Sequence, residues 1–204
     1  MIVGIIAVLV LGGVLAGPIM SDVERPDYEV VSTPEQNIEI RRYEPMIIAQ
    51  VTMQGEREEA IGDGFRLLAD YIFGNNTVSQ EIAMTAPVQQ QASEKIAMTA
   101  PVQQQAEGND WTVSFVMPSD YTMETLPKPN NDRVTLMQVP ARRVIAIEFS
   151  GTNSDDNIAE HEQQLKATIQ ANNLQTTGAP TYAFYNPPWT LPPMRRNEVM
   201  IELE

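Results

Sequence analysis

Apolar and polar residues alternate between Ile38 and Gly55, which is the spacing of β-strands with one buried face. Pro45 interrupts this stretch near its middle and predicts a turn between two strands. After Gly55 the apolar residues recur at helical spacing, and Gly74 predicts the end of the helix. The apolar stripe of this first predicted helix consists of Ile61, Phe65, Leu68 and Ile72.

The same order of patterns returns in the second half of the chain, where residues 134–151 repeat the length and plan of residues 38–55. A second helical pattern follows, with Ser154 or Asp155 as the predicted N-cap. Its apolar stripe is Ile158, Leu165 and Ile169, and strand patterns close the two halves at residues 111–118 and 197–204. Strand–turn–strand–helix therefore occurs twice. This predicts an α+β domain in which each helix covers apolar sheet surface.

One decapeptide, IAMTAPVQQQ, occurs at residues 82–91 and again at residues 96–105. Its Ile, Met, Thr and Val residues favour strands, whereas Pro87 and Pro101 belong at strand ends or edges. We interpret the two copies as a hairpin, or as a strand with an edge loop. We expect Met84 or Met98 to point into the fold, either as ligand contact or as gap-filling core.

The N-terminal segment, residues 1–21, has no charged side chain. Residues 2–20 are apolar and long enough to span a bilayer as a helix. A charged n-region and an A-x-A cleavage site are both missing, so we expect an uncleaved anchor, with a cleaved signal as the alternative. The folded domain would then be residues 22–204, anchored to the membrane or exported to its periplasmic or extracellular side.

The chain has 13 basic and 27 acidic residues, and its formal net charge is −14. Such a surface repels phosphate backbones, so we expect no nucleic-acid partner. Six arginines nevertheless form adjacent pairs, which could hold a carboxylate ligand or neutralise neighbouring acids. These pairs are Arg41–Arg42, Arg142–Arg143 and Arg195–Arg196.

Motifs of catalysis are missing from the sequence. The chain has no cysteine, which excludes thiol nucleophiles, disulfides and Cys-based metal sites. It also lacks a Gly-x-Ser-x-Gly elbow, a Walker phosphate loop and an HExxH sequence. Carboxylates are numerous, but their order singles out no catalytic pair. We therefore expect a binding protein and no enzymatic activity.

Four separated motifs resemble those of the SOUL haem-binding protein family, namely IAMTAPV, WTVSFVMPSDYTMETLPKPN, VPARRVIAIEFSG and YNPPWTLPPMRRNEVMIEL. The resemblance extends from about Tyr28 to Glu204. It implies a pseudo-twofold α+β fold, a distorted antiparallel β-barrel flanked by two long helices. It also implies binding of haem or a related tetrapyrrole, for carriage or buffering. The fold is similar to regulator effector domains that hold hydrophobic drugs, and fold alone does not fix the ligand.

The resemblance places the haem site in a hydrophobic cleft between the first helix, residues 64–74, and the loop at residues 187–198. Four prolines stiffen this loop and would lower the ordering cost of binding, although the loop could instead be a lid. Apolar contacts would come from Phe65, Leu68, Ala69, Ile72, Met84, Met98, Trp189, Leu191 and Met194. The haem propionates would meet Arg66, Arg195 and Arg196.

His161, the single histidine, is the candidate iron ligand. A lone histidine on a helix is more often a core or boundary residue, so we expect haem to be held by contact with weak or no axial ligation. Two other functions remain open. The protein could bind other flat hydrophobic molecules, or it could dock a protein partner through the duplicated segment as an added strand.

Overall fold

The computed structural model describes residues 23–78 and 93–204. The predicted anchor, residues 1–21, and the first decapeptide copy with Met84 lie outside the described residues. Neither helix in the described part of the chain is long and apolar enough to cross a membrane. In chain order the elements are β1 (Tyr28–Glu35), β2 (Ile38–Tyr43), β3 (Met46–Gln54), α1 (Arg57–Ile72), β4 (Asn76–Thr77), β5 (Val102–Glu107), β6 (Asp110–Val116), β7 (Lys128–Pro129), β8 (Thr135–Val139), β9 (Arg142–Phe149), α2 (Asp155–Ala171), β10 (Thr176–Phe184), a 3-10 turn (Pro192–Met194) and β11 (Asn197–Leu203).

Nine of these strands form one sheet in the order β1-β2-β9-β11-β10-β5-β6-β3-β8, and β4 pairs with β7 separately. All of the pairings in the large sheet are antiparallel. The order from β2 to β8 is symmetric about the central β5–β10 pair. Two strands are exchanged between the halves, because β2 pairs with β9 and β8 pairs with β3. The halves are therefore joined at the centre and at both sides.

The predicted distorted antiparallel β-barrel is wrong. Within the described residues the sheet is open, with β1 and β8 as its edges. Closure would require the edge strands β1 and β8 to pair, but the described pairings of β1, from Tyr28↔Tyr43 to Glu35↔Ile38, are with β2 alone. The alternating pattern of the sequence gives each strand a buried face and does not show which strand pairs at its edge.

The prediction that two long helices flank a barrel is also wrong. α1 has 16 residues and α2 has 17, and α1 packs over β3 and β6 while α2 packs over β9 and β11. Both helices lie on the same face of the sheet. Residues paired directly across neighbouring strands point to the same face, and a row of such partners connects the strand beneath α1 with the strand beneath α2. This row is Phe115, Val102, Phe184, Asn197 and Phe149. The apolar side chains beneath the helices form two separate cores.

α1 packs on the sheet through a face that differs from the predicted stripe. Its buried residues are Ala60, Gly64, Leu68, Tyr71 and Ile72, whereas Phe65 is 38% exposed. Gly64 explains the rotation, since a Cβ at this position would lie 2.8 Å from Cγ2 of Val113. The missing side chain lets the helix backbone approach β6 closely. A pattern of apolar residues does not reveal this contact.

We predict opposite effects for alanine at the two interior glycines of α1. A Cβ at Gly62 would meet only Nη1 of Arg66, at 3.9 Å. Gly62→Ala should raise the free energy of unfolding by about 0.5–1 kcal/mol through helix propensity. Gly64→Ala should lower it by about 1–3 kcal/mol through overpacking against Val113. Denaturant unfolding measures both, and equal stability of the two variants would contradict the close helix–sheet contact.

The second decapeptide copy supplies the central strand β5. This strand pairs with β6 on one side and with β10 on the other, so both of its edges are used. Pro101 lies directly before β5, at a strand end as expected. Gln103 and Gln104 are only 7% and 4% exposed, and Arg57 Nη2 donates to Oε1 of Gln104 at 3.1 Å. This copy is therefore not available as an added strand for a protein partner.

The duplication is longer than the decapeptide. Residues 79–92 and 93–106 form a tandem repeat that differs only at Gln80/Glu94 and Glu81/Lys95. The described copy uses Glu94 as an acceptor for the Tyr121 hydroxyl, at 2.9 Å on the exposed surface. Either copy thus carries the side chains that β5 requires.

We predict that a chain lacking residues 93–106 folds as the full chain does, because residues 79–92 can supply the same strand. The free energy of unfolding should change by no more than about 1 kcal/mol, the net value of one exposed hydrogen bond. Thermal unfolding measures it. Deletion of residues 79–92 is the matched control. A folded control together with an unfolded 93–106 deletion would contradict the equivalence of the copies.

Candidate functional site

The α1 residues predicted to contact a ligand divide into a buried and an exposed group. Leu68 and Ile72 are 0% and 1% exposed and belong to the core beneath α1. Ala69 is half-buried beside them. Phe65 and Arg66 are exposed and face solvent. The helix can therefore offer a ligand one aromatic ring and one cation without disturbing its core.

The loop between β10 and β11 holds three exposed apolar side chains. Trp189, Leu191 and Met194 are 57%, 52% and 52% exposed. The loop is folded on itself by Arg195, which donates from Nε and Nη2 to two loop carbonyl oxygens at 2.8 and 2.5 Å. Arg195 therefore fixes the shape of the loop that presents these apolar groups.

The sheet register brings this loop to the same end of the sheet as Phe65. The ring of Phe65 packs edge-on against Phe115, with centroids 5.3 Å apart. Phe115 is the partner of Val102, and Val102 is the partner of Phe184, which ends β10 immediately before the loop. Two strand spacings, about 10 Å, separate the two phenylalanines. We call the exposed apolar groups at this end the helix–loop surface: Phe65, Met98, Trp189, Leu191 and Met194.

Either Met84 or Met98 is predicted to point into the fold, and Met84 lies outside the described residues. Met98 lies at the surface. It is 44% exposed, while Ile96 and Ala100 on either side of it are 3% and 4% exposed. These two neighbours fix the chain segment that leads into β5. Met98 therefore adds a flexible apolar side chain to the helix–loop surface.

Arg196 lies among ion pairs and apart from Arg66. Its Nη2 donates to Glu198 at 2.6 Å, and its Nε lies 3.2 Å from Glu148. Glu198 is fully buried and also accepts from Arg41 at 2.9 Å and from the Tyr185 hydroxyl at 2.7 Å. Burial, with the carboxylate of Glu198 next to it, raises the pKa of Tyr185 well above its usual value, so this hydroxyl stays a donor.

Other members of the arginine pairs also face carboxylates. Arg42 pairs with Glu29 at 2.8 Å, and Arg142 pairs with Glu202 at 3.4 Å. For Arg41, Arg42, Arg142 and Arg196 the contacts favour neutralisation of neighbouring acids. Arg195 differs, because its described bonds go to backbone carbonyl oxygens.

His161 lies on α2, half-buried against β9. Its Nδ1 donates to the carbonyl oxygen of Asn157 at 2.7 Å. The ring stacks on Phe149 with centroids 4.1 Å apart and an interplanar angle of 15°. Phe149 is four strands from Phe115, about 19 Å. The structure therefore does not bring His161 next to Phe65.

A cleft of about 800 Å³ between the first turns of the two helices was missed by the sequence analysis. Its walls come from residues 54–57, residues 108–111, the start of α2 and Tyr182. Trp111 and Tyr182 line it with aromatic rings whose centroids are 6.4 Å apart. The pattern of the sequence identified Trp111 only as the start of a strand, because the contact with Tyr182 depends on the β5–β10 pairing.

A family model described as SOUL heme-binding protein matches residues 23–202. The chain belongs to the SOUL heme-binding protein family. The resemblance seen in the four sequence motifs is thereby confirmed. The match covers both halves of the sheet, both helices and the loop that carries Trp189.

No curated protein matches this SOUL chain. Among solved structures, the C-terminal domain of EcmrR has a TM-score of 0.61 at 10% identity, covering 87% of this chain and 98% of that one. An uncharacterized conserved protein from Listeria innocua has a TM-score of 0.56 at 13% identity, covering 84% and 94%. A hydrolase from Listeria innocua has a TM-score of 0.53 at 12% identity, with the same coverage of 84% and 94%. Identities this low show a shared fold alone.

We predict that the buried carboxylate is essential to the stability of this SOUL protein. Glu198→Gln leaves Arg41, which is 1% exposed, without its buried counter-charge. The free energy of unfolding should fall by about 3–5 kcal/mol. Glu202→Gln is the matched control on the same strand, since its side chain is 41% exposed and should cost less than about 1 kcal/mol. Similar stabilities of both variants in denaturant unfolding would refute this role.

Proposed function

We propose that this SOUL protein binds haem or a related tetrapyrrole at the helix–loop surface, for carriage or buffering and without catalysing a reaction. The observation that supports this is the exposure of Trp189, Leu191 and Met194 in one braced loop. Large exposed apolar groups that lie in one loop are typical of binding sites. Membership of a heme-binding family supports a tetrapyrrole as the ligand.

Two arginines are available to the propionates of haem. The side chain of Arg66 is 74% exposed, and its ion pair with Asp63 is a surface pair that a propionate can replace. Arg195 uses Nε and Nη2 within the loop, which leaves the N–H groups of Nη1 for a carboxylate. Arg196 would first have to leave Glu198 and Glu148, so the proposal does not depend on it.

Binding at this surface is by apolar contact, with weak or no axial ligation. His161 stacks on Phe149, about four strand spacings from Phe115, against which Phe65 packs. A haem whose iron is bound to His161 would lie beside α2 and away from the loop. Contact-only binding leaves the haem exchangeable, which suits carriage or buffering.

We further propose that the domain works at a membrane or beyond it. The support is the apolar, uncharged stretch of residues 2–20, which has the length of a membrane-spanning helix. The formal net charge of −14 supports a protein that does not bind nucleic acid.

Haemin titration of the full chain, followed by Soret absorbance, tests the haem site. The triple variant Trp189→Ser/Leu191→Ser/Met194→Ser should raise the Kd at least tenfold, about 1.4 kcal/mol, because apolar contact with the macrocycle is lost. Met123→Ser/Met137→Ser is the matched control, since each methionine is 42% exposed and lies outside the helix–loop surface. The control should bind haemin as the unmodified chain does.

His161→Ala should leave both the Kd and the Soret maximum unchanged. Lost binding or a shifted Soret maximum in this variant would make His161 the axial ligand and would move the haem to α2. Absence of any saturable Soret change in the unmodified chain would overturn the haem proposal itself.

A further inference from the structure

The cleft between the helices has an aromatic lining and is bridged by an ion pair between the two helix starts. Arg57 near the start of α1 reaches Asp155 at the start of α2, with Nη1 2.7 Å from the carboxylate. Trp111 of β6 and Tyr182 of β10 lie between the helices, their ring planes inclined by 40°. The volume of about 800 Å³ is within the range of small-molecule sites. Residues from both halves of the chain are needed to form it.

The lining of this cleft is acidic. Glu56, Asp110, Asp155 and Glu162 contribute four carboxylates, against the single guanidinium of Arg57. Glu162 accepts from the Tyr182 hydroxyl at 2.7 Å and from Lys166 at 2.5 Å. Within the described part of the chain, neither Glu56 nor Asp110 forms an ion pair. The cleft therefore attracts cations and repels the carboxylates of a tetrapyrrole.

Arg57 already occupies the position of a bound cation. Its guanidinium carbon is 5.9 Å from the centroid of Trp111, within the range of a cation–π contact. Its Nη2 donates to Gln104 at 3.1 Å, while its Nε is buried and has no hydrogen-bond partner among residues 23–78 and 93–204. A buried donor without a partner is unfavourable, so this side chain is incompletely satisfied where it lies.

We propose that the cleft binds an organic cation that carries an aromatic ring system, and that Arg57 is the internal cation that this ligand displaces. The ligand places its charge over Trp111 and among the carboxylates, while its rings fill the space beside Tyr182. Displaced from the cleft, Arg57 regains water for its unpartnered Nε. The site is separate from the helix–loop surface proposed for the tetrapyrrole.

An organic cation fits the cleft better than a metal ion does. No group of His, Asp or Glu residues in the described part of the chain is arranged to hold a metal. The aromatic pair offers π-faces, which attract weakly hydrated organic cations.

Calorimetric titration of the full chain with N-methylacridinium and with acridine tests the charge requirement. The two probes share one ring system, and acridine is uncharged at mildly alkaline pH. N-methylacridinium should bind at least tenfold more tightly, and raised salt should weaken its binding. Equal affinities for the two probes would overturn the proposal.

Variants then test the role of Arg57. Arg57→Gln should tighten N-methylacridinium binding at least tenfold, because the competing internal cation is gone. Arg42→Gln, which removes an arginine far away on β2, is the matched control and should change nothing. Unchanged or weaker binding by a folded Arg57→Gln protein would refute displacement of Arg57.

A second variant decides the question even if Arg57→Gln fails to fold. Asp110→Asn removes a carboxylate that forms no ion pair with any described residue, so it should weaken N-methylacridinium binding and leave acridine binding unchanged. Equal effects on the two probes would count against the site.

Saturating haemin should not compete with N-methylacridinium, and competition would contradict two separate sites. A chain that binds N-methylacridinium but not haemin would contradict the haem proposal and would still support the cation site.

Discussion

The pairing of β5 with β10 is the contact on which the arrangement of this protein depends. It joins the two halves through residues 102–105 and 181–184 at the centre of the sheet. Each helix packs over the outer strands of its own half, so the two central strands lie in a valley between the helices. The helix–loop surface lies at one end of this valley, where Val102 and Phe184 are paired. The acidic cleft lies towards the other end, where Trp111 and Tyr182 meet.

The two ends of the valley differ in charge and therefore in the ligands that they can bind. The helix–loop surface combines exposed apolar groups with Arg66 and Arg195, which suits a flat apolar ligand with carboxylates. The cleft has four carboxylates around one guanidinium, which suits the opposite charge. A propionate in the cleft would gain Arg57 but would face Glu56 and Asp110 in a partly desolvated space. One fold thus offers two sites with opposite preferences.

The order and approximate bounds of both helices and of β2, β3, β6, β8, β9 and β11 could be predicted from the sequence, because Pro45 and Gly74 interrupt patterns with clear periods, whereas β1 and β10 were not predicted. The face of α1 could not be predicted in full, because Gly64 packs through the absence of a side chain. A single sequence also does not show which strand pairs at the edge of the sheet, and here β1 forms an edge that leaves the sheet open. The cleft forms through strand pairings between distant parts of the chain, so no local sequence pattern predicts its residues. Of the predicted ligand contacts, Phe65 and the loop residues are accessible, while Leu68 and Ile72 are core.

Adjacent arginines suggested carboxylate clamps, but extended backbone sends neighbouring side chains to opposite sides. On β2 the side chain of Arg41 is 2% exposed and that of Arg42 is 51% exposed. Arg195 is likewise extended, and it turns to the loop while Arg196 turns to Glu198. A ligand that recruited Arg196 would uncover a buried carboxylate, at a cost of several kcal/mol. One arginine of such a pair therefore stabilises the fold by pairing with a buried carboxylate. The other lies at the surface, where a ligand can reach it.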